Sequence, residues 1–188
     1  MSMDFNDAES NTSFDLIPSG TVAPMILTIK PGATGEGGWE TTSATSSYTW
    51  LSCEFTITGG KYANRKFWGN MMVSGPSDQA INITRSTLRG ILESARGIKP
   101  DDESDDAKKK RMVNNYGDFS GLEFVGKIGI EKGKDGYEDK NKLVAAIPVT
   151  SKDYAAAKSG ASASGSSAPA PSNSNAPAPS GAVPAWAN

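Results

Sequence analysis

Residues 48–58 alternate apolar and polar side chains with a period of two. Successive side chains of a β-strand point to opposite faces, so this period predicts a strand with one buried face. Leu51, Cys53, Phe55 and Ile57 fall on the predicted inner face, and Tyr48, Trp50, Ser52, Glu54 and Thr56 fall on the outer face. Such a strand needs partner strands and a core to cover its apolar face, which makes a β-sheet protein the first expectation.

Two further segments extend this expectation to a three-stranded unit. Residues 21–30 (TVAPMILTIK) form an apolar run of strand length between turn residues, and Pro24 predicts an edge strand or a bulge. Residues 66–73 alternate again after Gly59-Gly60, with Phe67 facing inward and Lys66 and Trp68 facing outward. Residues 48–73 are therefore predicted to form a hairpin of two half-buried strands.

A second hairpin is predicted near the end of the folded region. Residues 121–131 alternate, and residues 133–136 (GKDG) are a strong turn before residues 140–149. On this pattern Leu143, Ala145, Ile147 and Val149 share one face of the last strand.

One amphipathic helix is predicted between the two hairpins. Apolar residues recur at helical spacing from Ile81 to Ala95, after the turn and cap residues 74–78 and before Gly97. Five acids in residues 101–106 precede four bases in residues 108–111, an order that suits the dipole of a short second helix, although a loop is the alternative.

The order of these elements is typical of a mainly β fold. A five-stranded Greek-key barrel with one main helix between strands 3 and 4, the OB-fold, has this order. A small sandwich or an α+β sheet is the alternative. We therefore expect an acidic N-terminal arm over residues 1–20, laid against the first strand, and an OB-fold-like domain over residues 21–154. Residues 155–188 are rich in Ala, Ser and Pro and predict a disordered tail.

Composition excludes most enzyme chemistry. The 188 residues contain no histidine and one cysteine, Cys53, so disulfides, Cys/His zinc sites and His-based catalytic pairs are absent. The acidic run lacks the spacing of a calcium loop. We expect a non-enzymatic protein that needs no metal or cofactor. The acidic start is unlike a signal peptide and no run is long enough to span a membrane, so we expect a soluble protein of the cytoplasm, with no membrane partner.

The outward parity defines a candidate binding face. Aromatic side chains stack on bases of any sequence, and nearby cations contact phosphates. The candidate residues for single-stranded DNA are Tyr48, Trp50, Lys61, Tyr62, Arg65, Lys66, Trp68, Lys127, Lys140 and Lys142. The alternative is that the aromatics are covered by a loop, the helix or a second subunit, and that the lysines are solvated surface residues.

Four motifs resemble a family of phage and prophage proteins, formerly of unknown function, that is associated with single-stranded DNA binding. They are FDLIPSG at residues 14–20, FTITGGKYANRKFW at 55–68, GLEFVGKIGI at 121–130 and YEDKN at 137–141. The resemblance implies an OB-fold that serves the replication or recombination proteins of a bacteriophage in a bacterial host. Single-strand binders of this general type often recruit partners through an acidic C-terminal tip. This tail has no acidic tip, so Trp186 is its candidate partner-binding residue.

Two other function classes stay open at this point. A phage structural or assembly protein fits a β domain with an Ala/Ser/Pro tail, and an OB module that binds RNA or a protein fits the same fold. Oligomeric state also stays open, with a homo-oligomer as one outcome.

Overall fold

A computed structural model describes residues 15–32, 38–134 and 136–160. The strands in these residues are β1 (Val22–Ile29), β2 (Glu40–Thr42), β3 (Thr49–Ile57), β4 (Lys66–Ser74), β5 (Glu123–Glu131) and β6 (Lys140–Ala146). The helices are α1 (Asp78–Arg96), α2 (Asp105–Lys110) and α3 (Lys152–Lys158), with a 3₁₀ turn at Tyr116–Phe119. The expectation of a mainly β fold is confirmed.

The inner face of β3 forms the centre of the hydrophobic core. The predicted inner residues Leu51, Cys53, Phe55 and Ile57 are all 2% exposed or less, which confirms their inward parity. The ring of Phe55 stacks on Phe67 of β4 with centroids 4.9 Å apart. Because every second residue of β3 is buried, a shift of one residue in its register would expose the whole apolar set.

All strand pairs are antiparallel, in the order β2-β3-β1-β5-β6 with β4 on β3. The prediction of five strands was wrong because of β2, which pairs its three residues with residues 49–51 of β3. β1 pairs with residues 53–57 of the same strand, so β2 occupies the place beside β3 that β1 leaves unpaired at residues 49–51. A polar segment of three residues has no period to detect, and its pairing is made by the backbone.

The prediction that Pro24 marks an edge strand or a bulge was also wrong. β1 lies between β3 and β5, and Pro24 is paired opposite Val125. The Pro24 carbonyl accepts a hydrogen bond from the Thr58 N–H on the β3 side. A residue's N–H and C=O point to the same side of a strand, so the missing N–H of Pro24 removes no bond to β5.

Helix α1 confirms the predicted helix and both of its ends. The Ser77 hydroxyl caps the N-terminus by accepting from the Ala80 N–H, and Gly97 ends the helix in the left-handed conformation (φ 71°). The inner face buries Leu88, Ile91 and Leu92 against the sheet. Residues 105–110 of the acidic and basic run form the short helix α2, and residues 101–104 form a turn and the N-cap before it. No helix in the described ranges is both long and apolar enough for a membrane crossing.

Strand β6 departs from the predicted alternation. Lys127 is paired with Ala145 and Ile128 with Leu143, so Val144 is a bulge and is 51% exposed. Leu143 packs on the core while Ala145 is exposed, so the prediction that they share a buried face was wrong.

The folded region extends beyond both predicted domain boundaries. Residues 155–158, predicted as tail, belong to α3, which packs Ala157 into a small cluster with Val22, Val125 and Ile147. At the other end Ile17, predicted as part of the arm, is 1% exposed and lies in the main core. Its backbone bonds to β6 rather than β1. Residues 1–14 and 161–188, which hold most of the predicted arm and tail, lie outside the described residues.

Candidate nucleic-acid interface

The outer face of the β3–β4 hairpin carries the predicted aromatic residues. Trp50 is paired opposite Met72 and Glu54 opposite Trp68, which places these four side chains on one surface. Trp68 is 54% exposed and Tyr48 is 38% exposed, whereas Trp50 is half-buried. The predicted outward parity of β3 and β4 is therefore confirmed.

Glu54 contacts Lys66, Trp68 and Lys30 on this face, and it was not predicted as a site residue. One carboxylate oxygen accepts from Lys66 Nζ at 2.7 Å, and the other accepts from Trp68 Nε1 at 2.9 Å. Lys30 Nζ lies 3.5 Å from the second oxygen. The hydrogen bonds from Lys66 and Trp68 lower the pKa of Glu54 below its usual value, so it is ionised at neutral pH. Its outward parity was visible in the sequence, but its partners depend on the β3–β4 register.

Four predicted residues line one groove of about 710 Å³ between strands β4 and β6. Arg65, Lys66 and Trp68 come from the first hairpin, and Lys140 comes from the second. β4 and β6 approach each other here, although the pairing pattern of the described residues contains no ladder between them. The other lining residues are Leu16, Ala63, Asn64, Phe67, Asp139 and Asn141. We call this the β4–β6 groove.

Ion pairs engage the charged side chains around the β4–β6 groove. Lys140 lies 3.4 Å from Glu131, and Lys132 lies 2.6 Å from Asp139. The hydrogen bond from Lys132, followed by that from the Gly133 N–H, lowers the pKa of Asp139. Because both pairs are exposed, solvent screens them and they add little to stability.

A second depression of about 340 Å³ lies further along the same face. It is lined by Tyr48 and Trp50 together with Ser43, Ser46, Asn70 and Met72. Trp68 lies opposite Glu54, four residues along β3 from Trp50, so the two tryptophans are about 13 Å apart at 3.3 Å per residue. The face thus presents two separate aromatic positions.

The other predicted residues line neither of these depressions. Tyr62 is half-buried against the main core, with Lys61 Nζ 5.5 Å from its ring centroid. Lys127 is exposed on β5, next to Val22 of the cluster that α3 covers. Lys142 is exposed on β6, two residues from Lys140. Trp186 lies outside the described residues.

A third depression, of about 560 Å³, is lined by α1 and residues 111–119. Two of its arginines have a structural role, because Arg89 and Arg111 both donate to Glu93 at 2.8 Å. Glu93 is 6% exposed, and a buried carboxylate requires such partners.

The described residues offer little chemistry of other kinds. They contain no group of three or more His, Cys, Asp or Glu side chains placed to hold a metal ion. Cys53 is buried, and its burial raises the thiol pKa to about 12, so the reactive thiolate does not form near neutral pH.

The chain matches no protein-family model and has no significant sequence match among the curated proteins. The function is therefore inferred from the geometry of the site.

Proposed function

We propose that this protein binds single-stranded DNA without sequence preference, across the β4–β6 groove and the outer face of β3 and β4. One observation carries the proposal. Residues from two hairpins far apart in the sequence, Arg65, Lys66 and Trp68 in one and Lys140 in the other, meet in a single groove. An exposed indole beside several cations is the arrangement that sequence-tolerant single-strand binding requires.

Each group has a defined part in this proposal. Trp68 stacks on a base, and the cations of the groove contact the flanking phosphates. Trp50 and Tyr48 offer a second stacking position about 13 Å along the face. Because Glu54 lies beside Trp68 and pairs with Lys66, the face is less positive than its lysines suggest.

We also propose that the sheet is an OB-type barrel. The pairing order β4-β3-β1-β5-β6 and the placement of α1 between β4 and β5 support this architecture, in which β2 is an addition. OB-folds bind oligonucleotides on the face of their second and third strands, which correspond here to β3 and β4. The role in bacteriophage replication or recombination is proposed from the sequence resemblance alone.

Fluorescence titration of the full chain with oligo-dT at low and high salt tests the proposal. The chain has four tryptophans, so the titration is repeated with Trp68→Phe to identify the signal of that residue. We expect saturable quenching that weakens as salt rises, because each phosphate contact releases counterions. Duplex DNA should bind more weakly than oligo-dT, since its bases are not free to stack.

Two lysine variants provide a matched control. Lys66→Gln should weaken binding and reduce the salt dependence, whereas Lys109→Gln on α2 makes the same charge change outside the groove. Equal effects of the two substitutions would mean that only net charge matters, and no binding to oligo-dT would reject the proposal. Tighter binding to oligo-U than to oligo-dT of equal length would replace DNA with RNA as the ligand.

A further inference from the structure

The first described residues of the chain, Asp15 and Leu16, lie at the β4–β6 groove. Leu16 lines the groove, and the Arg65 guanidinium donates to the backbone carbonyl of Asp15. Ile17 is fixed immediately behind this point by two hydrogen bonds to the Asn141 side chain, of 2.9 and 2.8 Å. Residues 1–14 therefore join the folded domain at the rim of the proposed DNA site.

Residues 1–14 have the charge of a competitor for that site. They contain Asp4, Asp7 and Glu9 and no lysine or arginine. The groove lining has three cations, Arg65, Lys66 and Lys140, and one carboxylate, Asp139. With the ion-pair partners Glu54, Glu131, Lys30 and Lys132 included, the groove and its rim hold five cations and three carboxylates, so their net charge is opposite to that of the segment.

The tether is long enough for these carboxylates to reach the groove. Glu9 is six residues from Asp15, a span of at most about 20 Å for an extended chain. Trp68 is three residues along β4 from Arg65, about 10 Å away. A tether of this length gives an effective concentration of about 1 mM.

We propose that the acidic segment 1–14 binds in the β4–β6 groove and competes there with single-stranded DNA. The competition rests on the proposed function, whereas the contact itself does not. The carboxylates of Asp4, Asp7 and Glu9 occupy positions that DNA phosphates take when DNA binds. An effective concentration of about 1 mM lowers the apparent DNA affinity about tenfold when it is about ten times the dissociation constant of the segment.

Carbodiimide cross-linking of the full chain without DNA tests the contact alone. The reagent joins a carboxylate to a lysine amine in contact with it, and the products are mapped by mass spectrometry. We expect links from Asp4, Asp7 or Glu9 to Lys66 or Lys140 that are lost in high salt. The Lys132 to Asp139 pair, at 2.6 Å, is the positive control, and Lys109 on α2 is the negative control. Links to Lys109 as frequent as those to the groove lysines would overturn the contact.

DNA affinity then tests the competition. The triple variant Asp4→Asn, Asp7→Asn, Glu9→Gln should bind oligo-dT about tenfold more tightly than the natural sequence at low salt, with the gain shrinking as salt rises. The matched control is Asp101→Asn, Glu103→Gln, Asp105→Asn, which removes three exposed charges elsewhere. Equal gains in both variants would reject local competition in favour of a net-charge effect. Groove cross-links without any DNA binding would instead retain the contact and reject the proposed function.

Discussion

The side chain of Asn141 brackets the backbone of Ile17 on both sides. Its Oδ1 accepts from the Ile17 N–H at 2.9 Å, and its Nδ2 donates to the Ile17 carbonyl at 2.8 Å. Nδ2 also lies 3.3 Å from the Gly129 carbonyl. Asn141 is 7% exposed, and these bonds satisfy its buried amide. The Asn141 side chain therefore makes the hydrogen bonds to Ile17 that a neighbouring strand would otherwise make, and it fixes the position of the N-terminal segment at this residue.

Asn141→Ala should destabilise the fold by about 2 to 4 kcal/mol, because it leaves the buried N–H and C=O of Ile17 without partners. Urea unfolding measures the change in the free energy of unfolding. Asn82→Ala, at an exposed position of α1, is the control and should change it by less than about 0.5 kcal/mol. Similar losses in both variants would contradict the role given to the Asn141 bracket.

The free energy of unfolding should depend on pH through the Cys53 thiol. Burial raises its pKa from 9.0 to about 12 in the folded chain, so between these values the unfolded state loses a proton that the folded state keeps. The Cys53 contribution to stability is therefore complete below pH 9 and declines by about 1.4 kcal/mol per pH unit above it. Cys53→Ala should lose stability less steeply than the natural sequence between pH 9 and 11. Identical slopes in urea titrations would show that the thiol is not desolvated.

The sequence alone predicted those strands and helices that bury a single face. β3 and α1 each bury a single face, so their periods of two and 3.6 residues were visible without knowledge of their partners. The outward positions of Trp50 and Trp68 followed from the same parity.

The remaining features depend on partners that a linear pattern does not contain. The bulge at Val144 is set by the register with β5, and the bracket on Ile17 joins residues 124 positions apart. Helix α3 has an Ala-rich composition, which was interpreted as tail because its burial against Val22 and Val125 is a tertiary contact. Likewise, Glu54 was visible as an outward residue, but its bonds to Lys66 and Trp68 were not.

Trp68→Ala should weaken oligo-dT binding by about 1 to 3 kcal/mol through the loss of one stacked base, with the fold intact because the indole is exposed. Trp50→Ala should weaken binding in the same range at the second stacking position. Trp68→Phe retains an aromatic ring but loses the hydrogen bond to Glu54. Its DNA affinity therefore separates the contribution of base stacking from that of the hydrogen bond that positions the ring. Circular dichroism monitors folding. Full affinity in Trp68→Ala would remove this residue from the site.

Glu54→Gln should strengthen DNA binding, which is the opposite of what a residue that contacts DNA would show. The natural carboxylate holds Lys66 at 2.7 Å and lies 3.5 Å from Lys30, so it neutralises cations that face the proposed phosphate path. Glutamine removes the charge but keeps an oxygen that accepts from Trp68 Nε1. We expect affinity to rise several-fold at low salt, and the slope of log affinity against log salt to steepen by about 1 as a cation becomes available. Glu131→Gln, which releases Lys140 in the same way at the groove rim, is the matched variant and should act in the same direction. A loss of affinity in Glu54→Gln alone would mean that the Glu54 charge positions Trp68 and Lys66 for DNA rather than competing with it.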